Sequence, residues 1–177
     1  MGGLKFLNEV TSNKFSYKVT LNHVNLSSLG KVFDYWIAHL DYELLICGYE
    51  KGAKQGTPHY QVYVQHTNID NYEDMRKLLC EELYEVGVID EKMTCVAFPL
   101  DDPSASTSHH IIEYVQKDGH YIKHTRPPGA DHGTVECRWD NTLAEWNEGF
   151  WFYKVFDHYR ENCTSYPNYI HRVRTWG

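Results

Sequence analysis

The feature that most constrains this chain is the way its hydrophobic residues change period between positions 15 and 125. In FSYKVTLNH (15–23) large and polar residues alternate, so Phe15, Tyr17, Val19 and Leu21 share one face of a strand. Leu26, Leu29, Val32, Phe33, Trp36, Ile37 and Leu40 then recur every three or four positions, which predicts an amphipathic helix despite Gly30. YELLICGYE (42–50) and HYQVYVQH (59–66) are β-rich runs around KGAKQGTP, whose glycines and Pro58 are turn chemistry, and they predict a hairpin. NYEDMRKLLCEELYEVG (71–87) predicts a second helix, N-capped by Asn71 or Asp70 and closed by Gly87. MTCVAFPL (93–100) follows as a strand. DDPSASTS then supplies caps for a third helix, HHIIEYVQKDG, which Gly119 ends in a left-handed conformation, and HYIKHT is a last short strand. The order β-α-β-β-α-β with an added helix is the split βαβ pattern, an α+β fold with a central antiparallel sheet and helices packed on it.

Periodicity stops at RPPGADHG (126–133), where proline and glycine cluster. The chain of 177 residues therefore divides into a domain at 1–126, a linker at 127–136 and a helical extension at 137–177. Trp146, Phe150, Trp151 and Phe156 in the extension suit either a self-association surface or a helix docked on the domain. No apolar run is long enough to cross a bilayer, and MGGLKFLNEV lacks the layout of a signal peptide, so the chain reads as intracellular. Its five cysteines are widely spaced with no C-x-x-C, which suggests reduced, mostly buried thiols rather than a disulfide framework or a zinc site. A net charge of −7 argues against a coat for duplex nucleic acid, which needs many neutralised phosphates. Lys117, His120, Lys123, His124 and Arg126 place any nucleic-acid face near 114–126, although histidines such as His109, His110, His120 and His124 are more often surface or capping residues.

His59 and Gln61 lie two apart in a strand and so project from the same sheet face, and Glu50 ends the partner strand. If the two strands pair, a carboxylate, an imidazole and an amide oxygen converge, a donor set leaning to Mg²⁺ or Mn²⁺ over zinc. The same residues also read as a solvated strand-end charge and the polar side of a half-exposed sheet. With 11 His and 4 Gln, about 0.25 H-x-Q sequences are expected by chance, and the chain has one. Tyr114 and Lys117 sit three apart on one helix face, where a phenol can attack phosphorus and a cation can steady the charge. That pair alone is weakly specific, since about one Y-x-x-K is expected by chance, and taken alone it reads first as an aromatic–aliphatic helix contact.

Taken in order, Thr20-Leu21-Asn22-His23, Gly56-Thr57-Pro58-His59-Tyr60-Gln61 and Tyr114-Val115-Gln116-Lys117 resemble the three motifs of rolling-circle replication initiators, specifically the HUH endonuclease domain of circovirus-like Rep proteins. The likeness covers about 15–125, and the acid nine residues before the histidine is here Glu50. It implies HUH topology on a ferredoxin- or RRM-like sheet, with a Mn²⁺ or Mg²⁺ ion held by Glu50, His59 and Gln61 and with Tyr114 as nucleophile, assisted by Lys117. Asn22, His23, Lys18 and Lys123 would lie along the DNA. The implied reaction is nicking and joining of single-stranded DNA at a stem-loop origin through a 5′-phosphotyrosine, in a host nucleus, with self-association of the full-length protein. His23 stands where many relatives have Asn, Gln61 replaces the second histidine of the name-giving motif, and no G-x-x-x-x-G-K-[ST] loop is present. The missing loop suggests a fragment of a longer initiator. Two other readings remain: a non-catalytic RRM-like module stacking bases on exposed Tyr60 and Tyr63, and a relaxase-like or transposase-like HUH protein.

Overall fold

The computed structural model describes residues 15–51, 58–100, 105–126 and 134–138. These residues form β1 (Phe15–Asn22), a 3₁₀ turn at Leu26–Ser28, α1 (Leu29–His39), β2 (Leu44–Lys51) and β3 (Pro58–Thr67). They continue through α2 (72–85), β4 (Thr94–Leu100), α3 (Ala105–Val115), β5 (Tyr121–Thr125) and β6 (Thr134–Arg138). The strands make one open sheet in the order β4-β1-β3-β2-β5-β6, with every neighbouring pair antiparallel. Its first four positions, with α1 between β1 and β2 and α2 between β3 and β4, have the split βαβ arrangement of a ferredoxin-like fold. Thr134–Arg138, which straddle the expected junction of linker and extension, pair with β5 as the sixth strand. The rest of the extension lies outside the described residues. No helix among the described residues is long and apolar enough to cross a membrane.

Strand alternation divides the apolar residues between two faces. On one face Tyr17, Val19, Leu21, Leu45, Cys47, Tyr60, Val62 and Val64 pack against Leu29, Val32, Phe33 and Trp36 of α1 and Met75, Leu79 and Leu83 of α2. Phe15, at the start of the predicted apolar row, is instead exposed, because the register with β3 shifts between Phe15 and Tyr17. His66 takes up that irregularity with φ 57°, its N–H donating to Ser16 Oγ at 3.2 Å. α2 begins as expected, with the Asn71 side chain accepting from the Asp74 N–H at 2.9 Å. It is not uniform: Tyr72–Arg76 leads into a π-helical turn at Lys77–Glu81 and then Glu82–Glu85. Within that turn the Leu79 carbonyl accepts from Trp36 Nε1 at 3.2 Å, joining the two helices.

The opposite face carries a smaller cluster, Leu44, Ile46, Tyr63, Val115 and Tyr121, roofed by Ile111 and Ile112 of α3. α3 starts four residues before the predicted run and ends at Val115, so Lys117 lies in the following turn, its N–H reaching the Tyr114 carbonyl at 3.2 Å. Gly119 closes this turn at φ 74°, in the left-handed region open to glycine.

Candidate functional site

The site forms on the α3 face of the sheet because register and side-chain parity agree there. Glu50 of β2 lies directly across from His59 of β3, and Gln61 lies between Gly48 and Thr20. With one face shared by alternate residues, Glu50, His59, Gln61, Thr20 and Lys18 project together. His59 Nε2 is hydrogen-bonded to Glu50 Oε1, and Gln61 Nε2 donates to the same oxygen at 3.2 Å. Gln61 Oε1 accepts from Thr20 Oγ1 at 2.9 Å, and Lys18 Nζ donates to that hydroxyl at 3.2 Å. Glu50 is 8% and Gln61 5% exposed, so the carboxylate is held in a largely desolvated setting.

Lys117 completes the ring of charge, its Nζ 3.5 Å from Glu50 Oε2 and 4.3 Å from the centre of the Tyr114 ring. Lys18 Nζ stands 5.0 Å from the same ring, so two ammonium groups flank the phenol. Burial lowers the pKa of Lys18, and neighbouring Lys117 adds to the effect against the pull of Glu50. Burial also opposes charge on Lys117, but the Glu50 carboxylate and the Tyr114 phenol outweigh it and hold that pKa above the ordinary lysine value. Tyr114 itself is exposed, with its ring open to an incoming chain.

The approach of α3 depends on Gly48. A Cβ at this position would lie 1.8 Å from the Val115 carbonyl oxygen, so only a glycine lets the end of α3 settle on the sheet. At the other end of the helix, Tyr63 Oη donates to Ser108 Oγ at 3.3 Å. Neither contact is legible in the sequence, although a glycine inside a strand is itself a sign of close backbone approach.

Other expected contacts fall differently. Asn22 lies across from His59 at the end of β1, whereas His23 turns away at φ 60° and lines a cavity of about 140 Å³ with Asn25, Tyr60 and Met93. Lys123 pairs with Ile46, four residues and therefore roughly 13 Å along β2 from Glu50. The 114–126 stretch is not one basic face, because alternation sends its members to both sides of the sheet. His124 is buried against Tyr42, its Nδ1 2.6 Å from the phenol oxygen, and Arg126 donates to the Ile37 and Leu40 carbonyls at the end of α1. His120 is buried as well, so neither it nor His124 is a surface histidine, while His109 and His110 are exposed. Tyr60 and Tyr63 cannot stack bases: they are 1% and 0% exposed, one under the helices and the other beneath α3. Val96 and Phe98 of β4, across from Thr20 and Lys18, are apolar and exposed on the site face.

One carboxylate, one imidazole and one amide suit a hard divalent ion; the Gln61 amide here turns its nitrogen to Glu50 and its oxygen to Thr20, and because the Thr20 hydroxyl both donates and accepts, the reversed amide would present its oxygen to such an ion. Among the described residues no group of three His, Cys, Asp or Glu side chains is placed to hold a metal, so the amide would be the third donor. No family model and no curated protein matches the chain.

Proposed function

We propose that this chain is the nicking domain of a circovirus-like rolling-circle replication initiator, with HUH topology and with single-stranded origin DNA as its substrate. One observation carries the reading: residues of all three motifs, Thr20, His59 with Gln61, and Tyr114 with Lys117, meet in a single cluster in which Lys117 bridges Tyr114 to Glu50, Glu50 holds His59 and Gln61, and Gln61 accepts from Thr20. An ion bound by Glu50, His59 and Gln61 would supply Lewis-acid polarisation of the scissile phosphate. Tyr114 Oη donates the electron pair that forms the new P–O bond as the bond to O3′ breaks. The phenol proton passes to solvent, and O3′ takes up a proton to leave as a hydroxyl. Lys117 and Lys18 stabilise negative charge as it develops on the phenol and the phosphate. Joining is the reverse displacement, by a 3′-hydroxyl on the phosphotyrosine.

Phe98 and Val96, open on the same face beside Lys18, offer a surface on which bases of a short single strand stack. That surface serves a non-catalytic binding module equally well, so chemistry has to separate the two readings. Mixed with a stem-loop origin oligonucleotide and Mn²⁺, the protein is expected to give a covalent adduct on a denaturing gel. An adduct that persists in Tyr114→Phe, or none with any related origin, rules out the nicking reading. Self-association and a nuclear setting are part of the same proposal and rest on the resemblance alone.

A further inference from the structure

Both oxygens of the Glu50 carboxylate are engaged. Oε1 accepts from His59 Nε2 and, at 3.2 Å, from Gln61 Nε2, while Oε2 lies 3.5 Å from Lys117 Nζ. A buried carboxylate has little water to offset its charge, so the Lys117 ammonium is its cationic partner. Lys117 itself is exposed, sits in the turn after α3, and reaches from Glu50 to the Tyr114 ring, whose centre is 4.3 Å from Nζ.

The same carboxylate is the anionic ligand of the proposed ion. Mg²⁺ binds a carboxylate oxygen at about 2.0–2.1 Å, which sets a doubly charged ion close beside an ammonium held on the other oxygen of the group. The cluster as described has one carboxylate to offset both. In this desolvated setting their repulsion drives Lys117 off Glu50 as the ion takes its place. The neutral donors adjust as well. The Gln61 amide reverses, with the Thr20 hydroxyl accepting from it, and the His59 imidazole carries its hydrogen on Nδ1 so that Nε2 can bind.

We propose that Lys117 and the divalent ion exchange at Glu50, so that ion loading frees the Lys117 ammonium for the Tyr114 phenol and the phosphate it attacks. While Lys117 is held on Glu50, the carboxylate offsets its charge. Once released, the whole charge faces the phenol and the phosphate, and an ammonium already against the ring needs only side-chain rotation to make the change. The order is ion first, nucleophile second. This exchange presupposes the ion site of the nicking reading, but not the cleavage of DNA.

The test is made on the full chain without DNA, its lysines labelled with ¹³C at Cε and the Lys117 cross-peak assigned by its loss in Lys117→Arg. As Mg²⁺ is added to an EDTA-treated and dialysed sample, that cross-peak should move as the ammonium leaves Glu50 and meets the ring current of Tyr114. Glu50→Gln should hold it near the end position with or without Mg²⁺. By calorimetry Lys117→Met should bind Mn²⁺ about tenfold more tightly than the parent, a usual size for coupling between two ligands. Lys117→Arg, whose guanidinium grips a carboxylate through two parallel hydrogen bonds, should bind Mn²⁺ more weakly. Repulsion without exchange would leave Arg equal to Lys, since both carry one charge. A Lys117 cross-peak that stays in place while calorimetry registers Mg²⁺ uptake, or a Mn²⁺ affinity of Lys117→Met or Lys117→Arg equal to the parent's, overturns the exchange. Absence of any ion uptake overturns it together with the metal part of the nicking reading. A cross-peak that moves in a chain giving no covalent adduct supports the exchange and removes only the nicking.

Discussion

Tyr114 and Gln61 illustrate how differently two side chains of one cluster should respond to substitution. Tyr114→Phe keeps the ring beneath two ammonium groups and removes the oxygen proposed to attack, so binding of a single-stranded oligonucleotide should survive while the covalent adduct disappears. Removing divalent ions with EDTA should have the same signature, adduct lost and binding kept, read by gel and by fluorescence anisotropy. His124 carries a different prediction, about pH. Burial and nearby Arg126 hold its pKa down at about 4, below the ordinary 6.5, so the folded protein keeps this histidine neutral where the unfolded chain would protonate it. The stability this contributes is fully present above pH 6.5 and drains away as pH falls towards 4. The loss should be on the order of 2 kcal/mol once solvent screening is allowed for. Denaturant unfolding between those limits should show a steeper pH dependence for the parent than for His124→Gln, which keeps an acceptor for Tyr42.

Strands and helices were legible in the sequence wherever burial is one-sided, because a half-buried element writes its period into the chain. β1, the β2–β3 hairpin, β4 and β5 lie within a residue or two of where alternation and turn chemistry put them, and α2 starts at its predicted cap. β6 was not legible: TVECR follows a proline- and glycine-rich stretch, and its partner is known only once β5 is an open edge. The π-helical turn was hidden too, since LLCEEL satisfies a helical pattern with or without an inserted residue. Convergence of Glu50, His59 and Gln61 could be anticipated from parity and turn length, but the seating of α3 could not, because it rests on a glycine meeting a carbonyl from a distant helix. Gly48→Ala should therefore leave the sheet intact by circular dichroism yet slow adduct formation about a hundredfold, as expected when reacting groups are displaced by about 1 Å. Asn71→Ala, which removes the α2 cap, should cost about 1 kcal/mol in denaturant unfolding with no change in that rate.

For the molecule as a whole, charge sets the mode in which the proposed single-stranded substrate would be bound. A net charge of −7 with Lys18 and Lys117 gathered at one site suits contact with a few phosphates rather than a long duplex. Affinity for a single-stranded oligonucleotide should fall with salt along a log–log slope of only about −2, as expected for roughly two or three neutralised phosphates. The two faces of the sheet differ in a way that bears on motion. Glu50, His59 and Gln61 stand on adjacent strands in the middle of the sheet, backed by the large layer under α1 and α2, whereas Tyr114 rides on a helix fastened by a handful of apolar contacts and the Tyr63–Ser108 hydrogen bond. Opening free energies should follow that division: amides of β2 and β3 exchange only with global unfolding, while those of α3 exchange through a smaller, local event. The proposed nucleophile and the groups proposed to receive the phosphate would then belong to separate foldons. A tyrosine that has become covalently tied to a DNA end could lift away from the sheet and return without the rest of the molecule coming apart.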